Sequence, residues 1–410
     1  MPLYRLLGLL ILPLVVAHFG WKAFRFRQGR YLYQRLGFGY RDLPQHALWL
    51  HCASVGEVNT ALPLLRELHR REPDLRFVIS TNTPTGAAIV ARQRLACVAH
   101  CYLPFDWNFV LQRFIDAAKP RALIVLETEL WPNLFAACAR NGIGVTIING
   151  RLSPKSTTTR GWVRTLLTTA LASVDHIYTR SAHDRDAFVQ LGADEQRVNV
   201  TGNLKYAPPQ AGEATQNLTA RRYVVAASTH ADEELRIAEC WLRLAREELL
   251  VIAPRHPERR DSILKQLGAL TDAVAVRSRD EAIRDDTAIY LLDTVGELNA
   301  WFAGAKLVIM GGSFAPVGGH NLLEPAHLGK AVVFGPHMEN FRDEAALVLD
   351  ADAAVQVATI DELQNTLATL LDDAAAIAAL EHNTRAVSER YAHVLADYAE
   401  IVMALVREKE

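Results

Sequence analysis

Short apolar runs recur along this chain, and the stretches between them carry apolar residues at helical spacing. In the first half the runs are residues 47–51, 77–80, 122–126 and 145–148. In the second half they are 223–227, 248–252, 289–292, 306–310 and 332–334. Near-continuous apolar runs of this length read as strands buried on both faces, which is the mark of a parallel sheet. Strand and helix alternating in this way predict an α/β protein with two doubly wound sheets. The expected divisions are a first domain over 41–206, a Pro-, Ala-, Gly- and Gln-containing linker over 207–219, and a second domain over 220–371. An Ala-rich helical tail over 372–410 is expected to pack across the domain junction.

Doubly wound sheets bind ligands beyond the carboxyl ends of their strands, and the polar clusters of this chain fall at those ends. The first domain offers Ser54, Gly56, Glu57, Thr83, Thr85, Glu127, Glu129, Asn149 and Arg151. Glu57 stands in the first turn of a predicted helix, where the dipole favours a carboxylate whether it caps or catalyses. Glu127 and Glu129 are alternate residues of an extended chain, so only one is expected to face the site. The second domain offers Ser228, Thr229 and His230 after one strand and Arg255 and His256 after the next, the arginine suited to clamping phosphate or carboxylate. Arg259 and Arg260 read as a solvated charge cluster.

The run 306–310 leads into GGSFAPVGGHNLLEPA, residues 311–326. A strand, a glycine-rich turn (Gly311, Gly312, Ser313, Gly319) and a helix start (His320, Asn321, Glu324) gather backbone N–H groups at one spot, which suits a phosphate. Glu324 could accept hydrogen bonds from a ribose. A plain glycine-rich connection remains the alternative.

Residues 6–19 are apolar apart from Gly8, Pro13 and His18. A full span needs about 20 such residues, so the segment fits an interfacial helix as well as a membrane crossing. Lys22, Arg25, Arg27, Arg30, Arg35 and Arg41 follow, interleaved with Trp21, Phe24, Phe26, Tyr31 and Tyr33. That basic and aromatic flank predicts a membrane anchor over 1–40, with the body on the cytoplasmic side and anionic lipids as partners. Composition adds exclusions. A net charge of −2 gives no reason to expect nucleic acid, and five scattered cysteines outline neither a zinc set nor a disulfide framework. No metal and no cofactor are expected.

With HCASVGE, STNTPTG, ETELWPN, INGRLS, TGNLKY, PRHPERR and GGSFAPVGGHNLLEPA in this order, the chain resembles the 3-deoxy-D-manno-octulosonic acid (Kdo) transferases of Gram-negative bacteria. The resemblance runs over essentially the whole chain. It implies a GT-B glycosyltransferase with two Rossmann-like domains facing a cleft, CMP-Kdo as donor, the lipid A precursor lipid IVA as acceptor, and attachment to the cytoplasmic face of the inner membrane. It implies that Glu57 is the base, with Glu129 or Glu127 positioning the acceptor. Arg255 and the Gly312–Ser313 turn would hold the phosphate or the sugar carboxylate, and Asn321 and Glu324 the ribose. Ser228, Thr229, His230 and Lys205 are further candidates. A UDP-sugar glycosyltransferase or epimerase is the nearest alternative, and a membrane-anchored binding protein without catalysis the next.

Overall fold

A computed structural model describes residues 2–25, 29–207 and 218–407. Contacts divide the chain into two compact units, Met1–Ala207 with His393–Glu410, and Pro208–Ala392. Most of the linker expected over 207–219 lies outside the described residues, as do Phe26 and Arg27 of the basic flank.

Unit 1 is built on a seven-stranded sheet in the order β3-β2-β1-β4-β5-β6-β7. Its strands are β1 Leu48–His51, β2 Phe77–Thr81, β3 Val98–Tyr102, β4 Ala122–Leu126, β5 Gly144–Gly150, β6 His176–Thr179 and β7 Val198–Val200. Every pairing is parallel. β1 and β4 are buried at every position, as runs of Leu, Trp, Ile and Val must be when helices cover both faces. Trp49, Phe114, Phe135 and Phe188 fill that core.

Unit 2 carries a second seven-stranded parallel sheet, β10-β11-β9-β8-β12-β13-β14. Its strands are β8 Tyr223–Thr229, β9 Leu249–Pro254, β10 Val274–Val276, β11 Ile289–Leu291, β12 Leu307–Met310, β13 Val332–Phe334 and β14 Ala354–Gln356. Two doubly wound α/β sheets are therefore present. Apolar patterning misses β3, β6, β7, β10 and β14, and four of these five are the outer strands of their sheets. Edge strands are short and partly solvated, so they carry no continuous apolar run; β7 is VNV with two of its three residues exposed.

In each sheet the order reverses at one point. β1 and β4 are neighbours whose connections lead to opposite sides, and β8 and β12 stand in the same relation. A crevice opens at such a switch point.

The chain begins with helices Pro2–Leu10, Leu12–Arg25 and Gly29–Arg35. Among the described residues no helix is long and apolar enough to cross a membrane. Leu6, Leu10, Leu14 and Trp21 are instead exposed, at 55%, 66%, 73% and 56% of their surface. The opposite side of this segment packs on unit 1, where the Phe19 ring meets Tyr31 and Phe105. Two helices end the described residues: Ala374–Ala392 belongs to unit 2 and Val394–Arg407 to unit 1.

Candidate active site

The unit 1 crevice is lined by the connections after β1, β2, β4 and β5. Ser54 caps the helix Val55–Arg71, its hydroxyl accepting the Glu57 N–H at 3.3 Å. Glu57 reaches back, and its carboxylate accepts the Ala53 N–H at 2.5 Å. This reciprocal bonding resembles a capping box. Glu57 nevertheless behaves unlike a simple cap. Burial foremost, and then the charges of Glu127 and Glu129, outweigh the Ala53 and Ser54 bonds and push its carboxyl up to about 7. The side chain is 7% exposed. A carboxyl that exchanges its proton near neutral pH is suited to general-base work.

Both carboxylates after β4 act on Glu57, which corrects the alternation argument. Glu127 has a left-handed backbone (φ 58°), so the chain is not extended there and the alternation rule does not decide between the two. The buried Glu127 accepts from Arg151 Nε at 2.8 Å and lies 3.5 Å from Lys205 Nζ. Lys205, expected with the donor groups, belongs to this cluster in unit 1. Asn149, also left-handed (φ 51°), organises the cluster from behind by accepting the Leu204 N–H at 2.9 Å.

Glu129 is held by groups that sequence reasoning missed. Its carboxylate lies 3.9 Å from Nε2 of His51, which is wholly buried. Trp49 Nε1–H donates to Ser80 Oγ at 2.8 Å, and His51 Nδ1 lies 2.9 Å from that hydroxyl and 3.2 Å from the Ser80 carbonyl oxygen. Burial raises the Glu129 carboxyl, but His51, Trp131 and Asn82 together bring it below its ordinary value. Asn82 donates to Glu129 at 3.5 Å, and its carbonyl accepts from Tyr31 at 3.1 Å and Arg35 at 3.3 Å. The N-terminal helices are thereby tied to the site. His51 and Ser80 both lie inside apolar strand runs, and their only signal was being polar there. Thr83 and Thr85 are helix-start groups: Thr83 accepts the Gly86 N–H at 3.1 Å and the Thr85 hydroxyl at 3.2 Å. Gly56 is exposed beside Ser54.

The unit 2 crevice lies between the connections after β8 and β12. Gly311 is required there, since a Cβ would sit 2.6 Å from Thr229 Cα. Beyond it Gly312 turns left-handed (φ 66°) against the His320 ring. Several of the N–H groups of this turn already have a partner within the chain. Glu233, fully buried, accepts from Gly312 at 2.7 Å, Phe314 at 2.9 Å and Ala315 at 3.0 Å. Gly319 N–H bonds the Gly312 carbonyl. Ser313 is also spent internally, donating to the Met310 carbonyl and accepting from Gly335. The Thr229 hydroxyl donates to Glu234 at 3.2 Å. These residues, with the left-handed Ser228 (φ 54°), form a frame. Arg259 is not a solvated charge but pairs in two-pronged fashion with buried Glu234, at 2.8 and 3.2 Å.

What this frame presents is a cationic and imidazole-rich face. His230 Nε2 and His320 Nε2 are 2.9 Å apart with their rings stacked, and His256 stands edge-on to His230. Burial, then His230, Arg255 and His256, hold His320 down at about 4. His230 is lowered as well, chiefly by burial. Arg255 is exposed beside them. Asn321 bonds Leu323 N–H at 3.1 Å and reaches Glu324 at 3.4 Å, on the short helix Leu323–His327. Among the described residues no group of His, Cys, Asp and Glu could hold a metal ion.

A family profile described as 3-Deoxy-D-manno-octulosonic-acid transferase (kdotransferase) matches residues 30–208. The 3-deoxy-D-manno-octulosonic acid transferase of Haemophilus influenzae is 32% identical over 387 residues, covering 90% of each chain. That of Bordetella pertussis is 34% identical over 327 residues, 75% of this chain and 76% of the relative. Among solved structures, a putative UDP-N-acetylglucosamine 2-epimerase from Listeria monocytogenes aligns with TM-score 0.56 and 12% identity over 89% of this chain and 98% of its own. A glycosyltransferase from Rickettsia africae aligns with TM-score 0.52 and 10% identity over 88% and 99%. At such identities these two show a shared fold of two parallel-sheet α/β units and nothing further.

Proposed function

The chain belongs to the 3-deoxy-D-manno-octulosonic acid transferases, glycosyltransferases of lipopolysaccharide biosynthesis, and from that premise we propose how its residues divide the work. Kdo is transferred from CMP-Kdo to lipid IVA with inversion. Unit 1 supplies the base and holds the acceptor; unit 2 holds the donor.

The observation that carries this reading is Glu57, a buried carboxyl at the β1/β4 switch point raised to about 7. Glu57 takes the proton of the acceptor hydroxyl as that oxygen bonds to the anomeric carbon of Kdo. The bond from that carbon to the CMP phosphate oxygen breaks on the opposite face, and CMP leaves with the electron pair. Glu129 and the Glu127–Arg151–Lys205 cluster orient the acceptor, whose phosphates suit Arg151 and Lys205. In unit 2, Arg255 meets the phosphate or the Kdo carboxylate. The His230–His320 pair supplies hydrogen bonds to oxygens that gain charge as CMP departs, and Asn321 and Glu324 meet the ribose. A single leaving phosphate demands less charge compensation than a diphosphate, so the reaction is proposed to need no metal and no cofactor.

The acceptor is a lipid. The exposed Leu6, Leu10, Leu14 and Trp21 support seating of the N-terminal helices in the cytoplasmic interface of the inner membrane, apolar side down. The test is transfer from CMP-Kdo to lipid IVA in EDTA, with products resolved by mass, for the native chain and for Glu57→Gln. Turnover by the native chain and a loss of roughly a hundredfold or more in the variant are expected. No turnover with CMP-Kdo, together with turnover of a UDP-sugar, would overturn the donor assignment.

A further inference from the structure

Asp232-Glu233-Glu234 has the pattern of a solvated acidic helix start, yet Glu233 and Glu234 are both wholly buried. Arg259 neutralises Glu234. Glu233 pairs with no cation among the described residues; its partners are backbone N–H groups. Oε2 accepts from His230 at 2.8 Å and Gly312 at 2.7 Å, and Oε1 from Phe314 at 2.9 Å and Ala315 at 3.0 Å. A carboxylate has about four lone-pair sites, and here all are taken.

The arrangement is an anion-binding loop whose anion is part of the chain. Oε2 joins the connection after β8 to the connection after β12, and Oε1 fixes the turn beyond it. Gly312 in turn sets the His320 ring, since a Cβ on Gly312 would lie 2.7 Å from the ring Cδ2. His230 is gripped by the same oxygen through its own N–H. The spacing of the two imidazoles is therefore decided by one carboxylate that touches neither ring.

We propose that Glu233 is the positioning residue of the donor site, a built-in anion that holds the β8 and β12 connections together and so aligns His230 with His320 for the donor phosphate. This rests on reading the unit 2 crevice as that donor site. The frame is complete before any ligand arrives, so binding meets a preorganised face and needs no loop ordering.

The test uses the full chain with CMP as probe, by calorimetry, alongside thermal melting. Glu233→Gln keeps the shape but sets an NH2 group against two N–H donors. It is expected to weaken CMP binding by roughly a hundredfold, the scale of a 1 Å misplacement. Glu233→Ala is expected to lose binding similarly and to recover it in part when formate refills the hole. A folded Glu233→Gln that binds CMP within about twofold of native overturns the proposal, as does formate that restores melting without restoring affinity. Native protein that does not bind CMP sinks the donor reading, and the positioning role with it. Should neither variant fold, amide exchange of the native protein decides. Slow exchange at His230, Gly312, Phe314 and Ala315 without CMP is expected, and fast exchange there that slows only with CMP overturns the proposal.

Discussion

The Tyr398 hydroxyl accepts the Asn149 backbone N–H at 3.2 Å and donates to the Gly202 carbonyl at 3.1 Å. One buried phenol from the helix Val394–Arg407 thus holds the two turns from which Arg151 and Lys205 reach Glu127. Tyr398→Phe keeps the ring and removes both bonds. We expect kcat/KM to fall by roughly tenfold, about the worth of one well-made hydrogen bond. The fall should lie mainly in KM for the acceptor, with KM for CMP-Kdo unchanged. Steady-state kinetics with each substrate varied in turn checks this.

Glu57→Gln separates base from cap. Gln serves a capping box as well as Glu does, so helix stability is retained while the proton acceptor is lost. In the native chain the folded pKa of about 7 lies above the ordinary 4.5. The folded state therefore holds an extra proton between those values, and the stability linked to it is lost as pH rises through 7. Glu57→Gln should melt no lower than native at pH 8 while turning over at least a hundredfold more slowly. Melting scans at pH 5 and pH 8 beside rate assays read both.

Glu127→Gln removes one of the charges that raise Glu57. Without it the Glu57 carboxyl gives up its proton at lower pH. The acid limb of kcat/KM should move down the pH scale even as the maximum falls, because Arg151 and Lys205 lose their partner. The pH–rate profile tests the direction, and an unmoved limb counts against Glu57 as the titrating base.

His230 and His320 are held below their ordinary pKa, largely by burial, and are neutral at pH 7. A bound phosphate favours the imidazolium. CMP binding should therefore take up protons and tighten as pH falls from 8 to 6. Calorimetry in buffers of different ionisation enthalpy measures the uptake, and His320→Asn should abolish most of it.

Leu10→Glu with Leu14→Glu places charge on the exposed apolar side of the N-terminal helices and touches none of the catalytic groups. Sedimentation with anionic vesicles should show affinity lower by roughly tenfold or more, with unchanged turnover of acceptor dispersed in detergent.

The inner strands of both sheets apart from β6, and the polar residues at their carboxyl ends, were legible because burial on two faces leaves a continuous apolar signature; β6 is only half buried and leaves none. Glu57, Glu129 and Arg255 could be picked out as polar groups at those ends. Three kinds of feature were not legible. Left-handed backbone at Glu127 and Asn149 breaks the side-chain alternation that sequence spacing assumes. Buried charges whose partners are remote, as Glu234 with Arg259, look solvated until the fold joins them. Backbone N–H groups of a glycine-rich turn look available until a distant carboxylate such as Glu233 is found to fill them.

The helix Val394–Arg407 belongs to unit 1, whereas residues 208–392 form unit 2. Unit 2 is continuous in sequence and unit 1 is not. On the ribosome, where domains generally fold as they emerge, the first unit to be made is the second to be finished. Its sheet lies wholly within residues 48–200, but the seat of Tyr398 stays empty until all of unit 2 has been synthesised. The bonds of Tyr398 to the turns that carry Arg151 and Lys205 thus come last in synthesis, and a nascent chain stopped before residue 394 would carry all of unit 2 and an unfinished unit 1.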